Sequence, residues 1–128
     1  MGDVYPQDAV VKKVLSRLDK TIPINKGTLF NTLVSADTDV LPNDFGPEYE
    51  TSLFRITVTC SPSSVVRVRV TRGADTVLND LNSGGALNDK SLYTFDVIGM
   101  TESVYNIQTS VGTTLQQLYI SEIGAFAP

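Results

Sequence analysis

The chain has 128 residues, 41% of them hydrophobic and 19% charged, the balance of an ordinary folded domain and not of a disordered tail. A lone cysteine, Cys60, excludes an internal disulfide, and the lack of any histidine removes the commonest general base, the histidine-activated nucleophile pairs and the usual zinc, copper and iron ligands. The net charge of −4 argues against nucleic acid as the main partner, because phosphate binding needs clustered Lys and Arg.

Met1 to Pro6 lacks the basic start and apolar stretch of a signal peptide, and Pro6 stands where a myristoylation motif wants Ser or Thr. No run approaches the ~18 apolar residues that span a membrane. Neither export nor a membrane partner is expected. From Ala9 to Leu18 the side chains of Val10, Val11, Val14, Leu15 and Leu18 fall on one stripe at a 3.6-residue period, which predicts a short N-terminal amphipathic helix. Pro6 and Asp8 suit its start, and Thr21-Ile22-Pro23 stops it. About three turns do not hold in water alone, so the stripe must dock on the chain's own body or on a neighbour. Residues 1–27 hold five basic and three acidic side chains, a net of +2, while residues 28–128 hold five and eleven, a net of −6. Such a head can attract the acidic body of another copy; the same lysines also suit the solvated face of any surface helix. Residues 1–26 read as an arm and linker, residues 27–128 as the folded domain.

After Gly27 the period changes to two. Thr28 to Val34 opens the β region. Thr51 to Cys60 is the clearest strand, with Phe54, Ile56, Val58 and Cys60 on one side and Arg55, Thr57 and Thr59 on the other. Past the turn cluster Ser61-Pro62-Ser63-Ser64, Val65 to Arg72 alternates likewise, Val66, Val68 and Val70 inward and Arg67 and Arg69 outward. These two runs read as a hairpin with one wet face. Further strands are expected at Thr76 to Leu78, Leu92 to Ile98, Val104 to Val111 and Leu115 to Ile123, separated by turns around Gly84-Gly85, Gly99-Met100 and Gly112. Strands at this spacing predict a mostly β chain, a single antiparallel β-sandwich or jelly roll. Phe54, Ile56, Val58, Val66, Val68, Val70, Tyr93, Phe95, Val97, Ile107 and Ile120 should fill its core. The acidic stretch Ser35 to Glu50, punctuated by Pro42 and Pro47, reads as an exposed loop.

Candidate chemistry is sparse. Asp37, Asp39, Asn43 and Asp44 resemble a cation loop, but the glycine and the terminal glutamate of an EF-hand are missing, and an ordinary acidic turn explains them better. Asn82-Ser83-Gly84-Gly85 offers backbone amides to a phosphate, yet a strand follows where such a site needs a helix. Cys60 sits in an inward register with nothing to activate it. Tyr93, Tyr105 and Tyr119 could stack sugars, although a strand tyrosine more often packs. Arg67 and Arg69 either grip an anion or keep a strand soluble. Asp75 with Asp80 would be the carboxylate pair of an enzyme. No catalytic residue, cofactor or metal is expected.

The cadence of Thr28 to Val34, Asp80-Leu81-Asn82-Ser83-Gly84-Gly85-Ala86-Leu87, Leu92-Tyr93-Thr94-Phe95-Asp96-Val97, Tyr105-Asn106-Ile107-Gln108 and Ile120-Ser121-Glu122-Ile123 resembles small β-sandwich structural proteins of virions. Capsid-decoration and tail subunits of phages and archaeal viruses are the group. The resemblance covers most of residues 28–123 and rests on rhythm, with no diagnostic motif. It implies a non-enzymatic virion subunit in a symmetric or helical homo-oligomer, partnered by copies of itself or another virion protein. Its arm would reach a neighbour through Val10, Val11, Val14, Leu15 and Leu18. The alternative is a carbohydrate- or ligand-binding module using Ser35 to Glu50 and the tyrosines.

Overall fold

The computed structural model describes residues 23–49 and 51–125. The stripe expected over residues 9–18, and the helix built on it, lie outside the described residues. Seven strands follow the alternation: β1 (Ile24–Val34), β2 (Thr51–Ser61), β3 (Val66–Arg72), β4 (Asp75–Asp80), β5 (Tyr93–Gly99), β6 (Val104–Thr109) and β7 (Thr113–Ala125). Each overlaps an expected run. β1 starts earlier than expected and draws Ile24, Asn25 and Lys26 out of the linker.

The strands form two antiparallel sheets, β1-β7-β2-β5 and β4-β3-β6. Register sets the core. Ile56 of β2 lies opposite Ile120 of β7 on one side and Phe95 of β5 on the other, and Val68 of β3 lies opposite Ile107 of β6. One hydrophobic cluster takes Phe54, Ile56, Val58, Leu118 and Ile120 from the first sheet and Val66, Val68, Tyr105 and Ile107 from the second. Burying each such aliphatic or aromatic side chain contributes roughly 1.5–3 kcal/mol. Every core residue expected from the alternation lies in this cluster or packs against it.

Two expectations are corrected. β2 and β3 are not a hairpin: they lie in different sheets, and the Ser61–Ser64 turn, which includes a cis Ser61–Pro62 peptide, carries the chain across. Two strands facing each other across a core satisfy the same alternation as two strands side by side, so periodicity alone cannot separate the cases. The hairpin is instead β3–β4, closed by Gly73-Ala74, where Gly73 takes φ 59° without a Cβ penalty.

The second correction is partial: the stretch Ser35 to Glu50 is a loop with most of its described side chains exposed, but its large apolar residues are not. Leu41, Phe45 and Tyr49 are each only 6% exposed. The Asp37 amide donates to the Thr109 carbonyl (2.8 Å), the Val40 amide to that of Ile107 (2.9 Å), and Phe45 and Tyr105 exchange bonds of 2.9 and 2.7 Å. Residues 37–45 thus run along the otherwise free edge of β6 and cover it. The Phe45 ring meets Phe54 edge-on at 5.0 Å and stacks on Tyr105 at 5.8 Å. The prolines and carboxylates mark a surface segment, and the apolar residues among them still turn inward.

Candidate functional site

The carboxylates of that segment meet arginines. Asp39 lies 2.9 Å from Arg69 Nε and accepts from Gln108 Nε2 at 2.9 Å. Asp44 pairs with Arg69 Nη2 and accepts from Asn106 Nδ2 at 2.9 Å. Arg67 reaches Asp37 at 3.4 Å and Asp80 at 3.1 Å. Burial raises the Asp39 carboxyl, but hydrogen bonds from Gln108 and Arg69 outweigh it, so the group sits below its ordinary value. Asp39 and Asp44 therefore share the Arg69 guanidinium, while Asp37 faces Arg67. Among the described residues no trio of acidic, cysteine or histidine side chains is gathered as metal ligands. Arg67 and Arg69, expected on a wet face, keep only 18% and 14% of their side chains exposed under this cover.

A second charge cluster was not anticipated. Glu122 on β7 is fully buried. Its carboxylate accepts from the Glu48 amide (3.0 and 2.9 Å) and the Tyr49 amide (2.9 Å), and lies 3.1 Å from Lys26 Nζ. The register shift between Asn25 and Gly27 leaves Lys26 without a β7 partner, and a bulge of this kind re-aims a side chain. Here it points Lys26 at Glu122, while Asn25 Oδ1 accepts the Gly27 amide at 2.9 Å. Burial pushes the Glu122 carboxyl up, yet the amides of Tyr49 and Glu48 and the Lys26 ammonium hold it below its ordinary value. The signal was in the parity: Glu122 shares the inward register of Leu118 and Ile120.

The remaining candidates are spoken for by the fold. Cys60 is fully buried, and burial raises its thiol pKa. The Gly84 and Gly85 amides bond the carbonyls of Leu81 and Asn82, so they are spent inside the turn and not offered to a phosphate. Tyr105 is fully buried, and Tyr93 stacks on Phe95 at 5.9 Å and accepts the Asn88 amide through its hydroxyl. Of the three tyrosines only Tyr119 lies open, at 45% exposure. Asp75 and Asp80 sit at opposite ends of β4, about 17 Å apart at strand rise, and cannot share a proton.

What is left is a surface. Across β1-β7-β2-β5, the outward positions form rows: Ile123, Leu53 and Ile98; then Asn25, Ser121, Arg55 and Asp96; then Thr28, Tyr119, Thr57 and Thr94. Phe30, with Gln117 and Thr59, and Leu33, with Thr114 and Ser61, continue the face. Among the described residues its only charges are Arg55 and Asp96, which neutralise each other through bonds of 2.9 and 3.2 Å. Phe30, Leu33 and Ile98 are 74%, 78% and 72% exposed. A broad, near-neutral sheet face with projecting apolar side chains is a surface suited to contact.

Comparison with known proteins finds no family model and no curated protein that matches this chain. Among the described residues no helix is long and apolar enough to cross a membrane.

Proposed function

We propose that the chain is a non-enzymatic structural subunit of a homo-oligomer, of the capsid or tail kind found in virions. The observation that carries this is the nesting of its pairings. With residues 37–45 counted as the second of eight strands, the first pairs with the eighth, the second with the seventh, the third with the sixth and the fourth with the fifth. That is an antiparallel ladder rolled into two sheets, a jelly-roll sandwich, the architecture that viral capsid and lectin domains share. Fold alone does not choose between those two uses, so the surfaces must. A sugar-binding module needs an exposed aromatic platform; Tyr105 is buried and Tyr93 half-buried against Phe95, which leaves only Tyr119 of the three tyrosines and the Phe30 ring on the outer face. The near-neutral outer face of β1-β7-β2-β5 supports burial against protein. Light scattering on the full-length chain tests the reading: the expected mass is a multiple of 13.9 kDa. A monomer at every concentration that also binds a glycan array overturns it in favour of the binding module.

A further inference from the structure

We infer that the arm, residues 9–18, lays its apolar stripe on the outward row Ile123–Leu53–Ile98 of a second copy of this chain. The inference rests on the assembly reading above and names its contact. The domain leaves an apolar row at the sheet end where the chain enters, with Leu53 and Ile123 half-buried and Ile98 open, and the sequence ahead of it carries an apolar pattern of its own. That pattern is the stripe of Val10, Val11, Val14, Leu15 and Leu18. In the row, Ile98 is 72% exposed and Met100 just beyond it is 48% exposed.

Where the chain enters the fold locates the contact. Ile24 lies opposite Glu122, so Pro23 stands level with Ile123, the first member of the row. The arm therefore leaves the domain beside the row it would use on the next copy. Leu18 and Pro23 are separated by the four residues Asp19 to Ile22, which extended allow at most about 18 Å. Lengths agree as well. The stripe as a helix is about 12 Å long, and the row crosses three strands, about 10 Å. Charge agrees too: Lys12, Lys13 and Arg17 lie within residues 9–18 and Lys20 just after them, and in sequence Asp96 precedes Ile98 and Glu102 follows it, both open to solvent although each already faces an arginine.

The test is disulfide trapping between full-length chains, with Cys60 left in place because it is buried. Val14→Cys chains are mixed with Ile98→Cys chains and oxidised mildly, and the linked peptides are identified by mass. A mixed disulfide is expected, and none with Val77→Cys on β4 of the other sheet. Ile98→Asp, at an exposed site, should weaken assembly at least tenfold with an unchanged circular dichroism spectrum. If light scattering shows an oligomer but no mixed disulfide forms, the contact is wrong and the assembly reading stands. If the doubly substituted chain, Val14→Cys with Ile98→Cys, closes on itself as a monomer, the stripe covers its own row and the inference is overturned. A monomeric parent chain overturns the inference and the assembly reading together.

Discussion

Glu122 shows how much one residue holds in place. It ties β7 to the bulge of β1 through Lys26 and to residues 48 and 49 through their amides. Glu122→Ala would remove the acceptor that the Glu48 and Tyr49 amides share and leave Lys26, whose side chain is only 8% exposed, paired with the Glu48 carboxylate alone. Breaking a buried pair in this way costs about 3–5 kcal/mol, which urea denaturation will read. The pH dependence has a definite sign. A carboxyl whose folded value is depressed adds stability above its unfolded value, and that stability is lost as pH falls through the folded value. Glu122, Asp39 and Asp96 are all depressed, Asp96 chiefly by its hydrogen bond from Arg55. The urea midpoint should therefore be level from neutrality to about pH 5 and fall below about pH 4.5, and Glu122→Gln should flatten part of that fall. Gly99 is the steric counterpart. A Cβ there would lie 2.7 Å from Ser52 Oγ and 3.0 Å from the Phe54 ring, so Gly99→Ala should cost about 1–3 kcal/mol through overpacking. Native-state labelling of Cys60 should proceed only as fast as local opening exposes it, and rapid stoichiometric reaction would contradict its burial.

At the scale of elements, the strands were legible and their partners were not. Alternation shows which side of β2, β3 and β5 faces the core, because a period of two is a local property of sequence. It cannot show whether the next strand lies beside or opposite, which is why β2 and β3 read as a hairpin. Residues 35–50 were misread for a different reason. Two prolines and three aspartates mark the stretch as a surface loop, and the ion pairs those aspartates make with Arg67 and Arg69 arise only when β3 is in place. The candidate surface was legible in part: Thr57, Thr59 and Thr94 could be set on outward positions, but the row Ile123–Leu53–Ile98 needs the β5-β2-β7 order. Phe45→Ala tests the revised view of this segment. If Phe45 packs on Phe54 and Tyr105, the substitution costs about 3–5 kcal/mol, whereas an exposed loop residue would cost under about 0.5. Calcium should leave the melting temperature unchanged, because Asp39 and Asp44 are held by Arg69; a rise of several degrees in millimolar calcium, lost in Asp37→Ala, would contradict this.

For the whole molecule, the proposed assembly pairs a β domain, built on the core described, with an N-terminal arm that joins copies. Part of the domain's charge is paired within the fold, in the Arg67 and Arg69 pairs and the Glu122 cluster, and the face of its four-stranded sheet is left nearly neutral. By sequence, residues 1–26 carry the opposite net charge to the rest of the chain, and Val10, Val11, Val14, Leu15 and Leu18 keep a helical spacing. The most direct test compares the full-length chain with residues 22–128 by light scattering and circular dichroism. The cut falls before Pro23 so that Lys26 keeps its place beside Glu122. The account predicts an oligomer from the full-length chain, and from the shortened one a species of lower mass with the same β-type spectrum and a cooperative melt. A full-length monomer whose shortened form unfolds or aggregates would contradict it, since the stripe would then be covering its own domain.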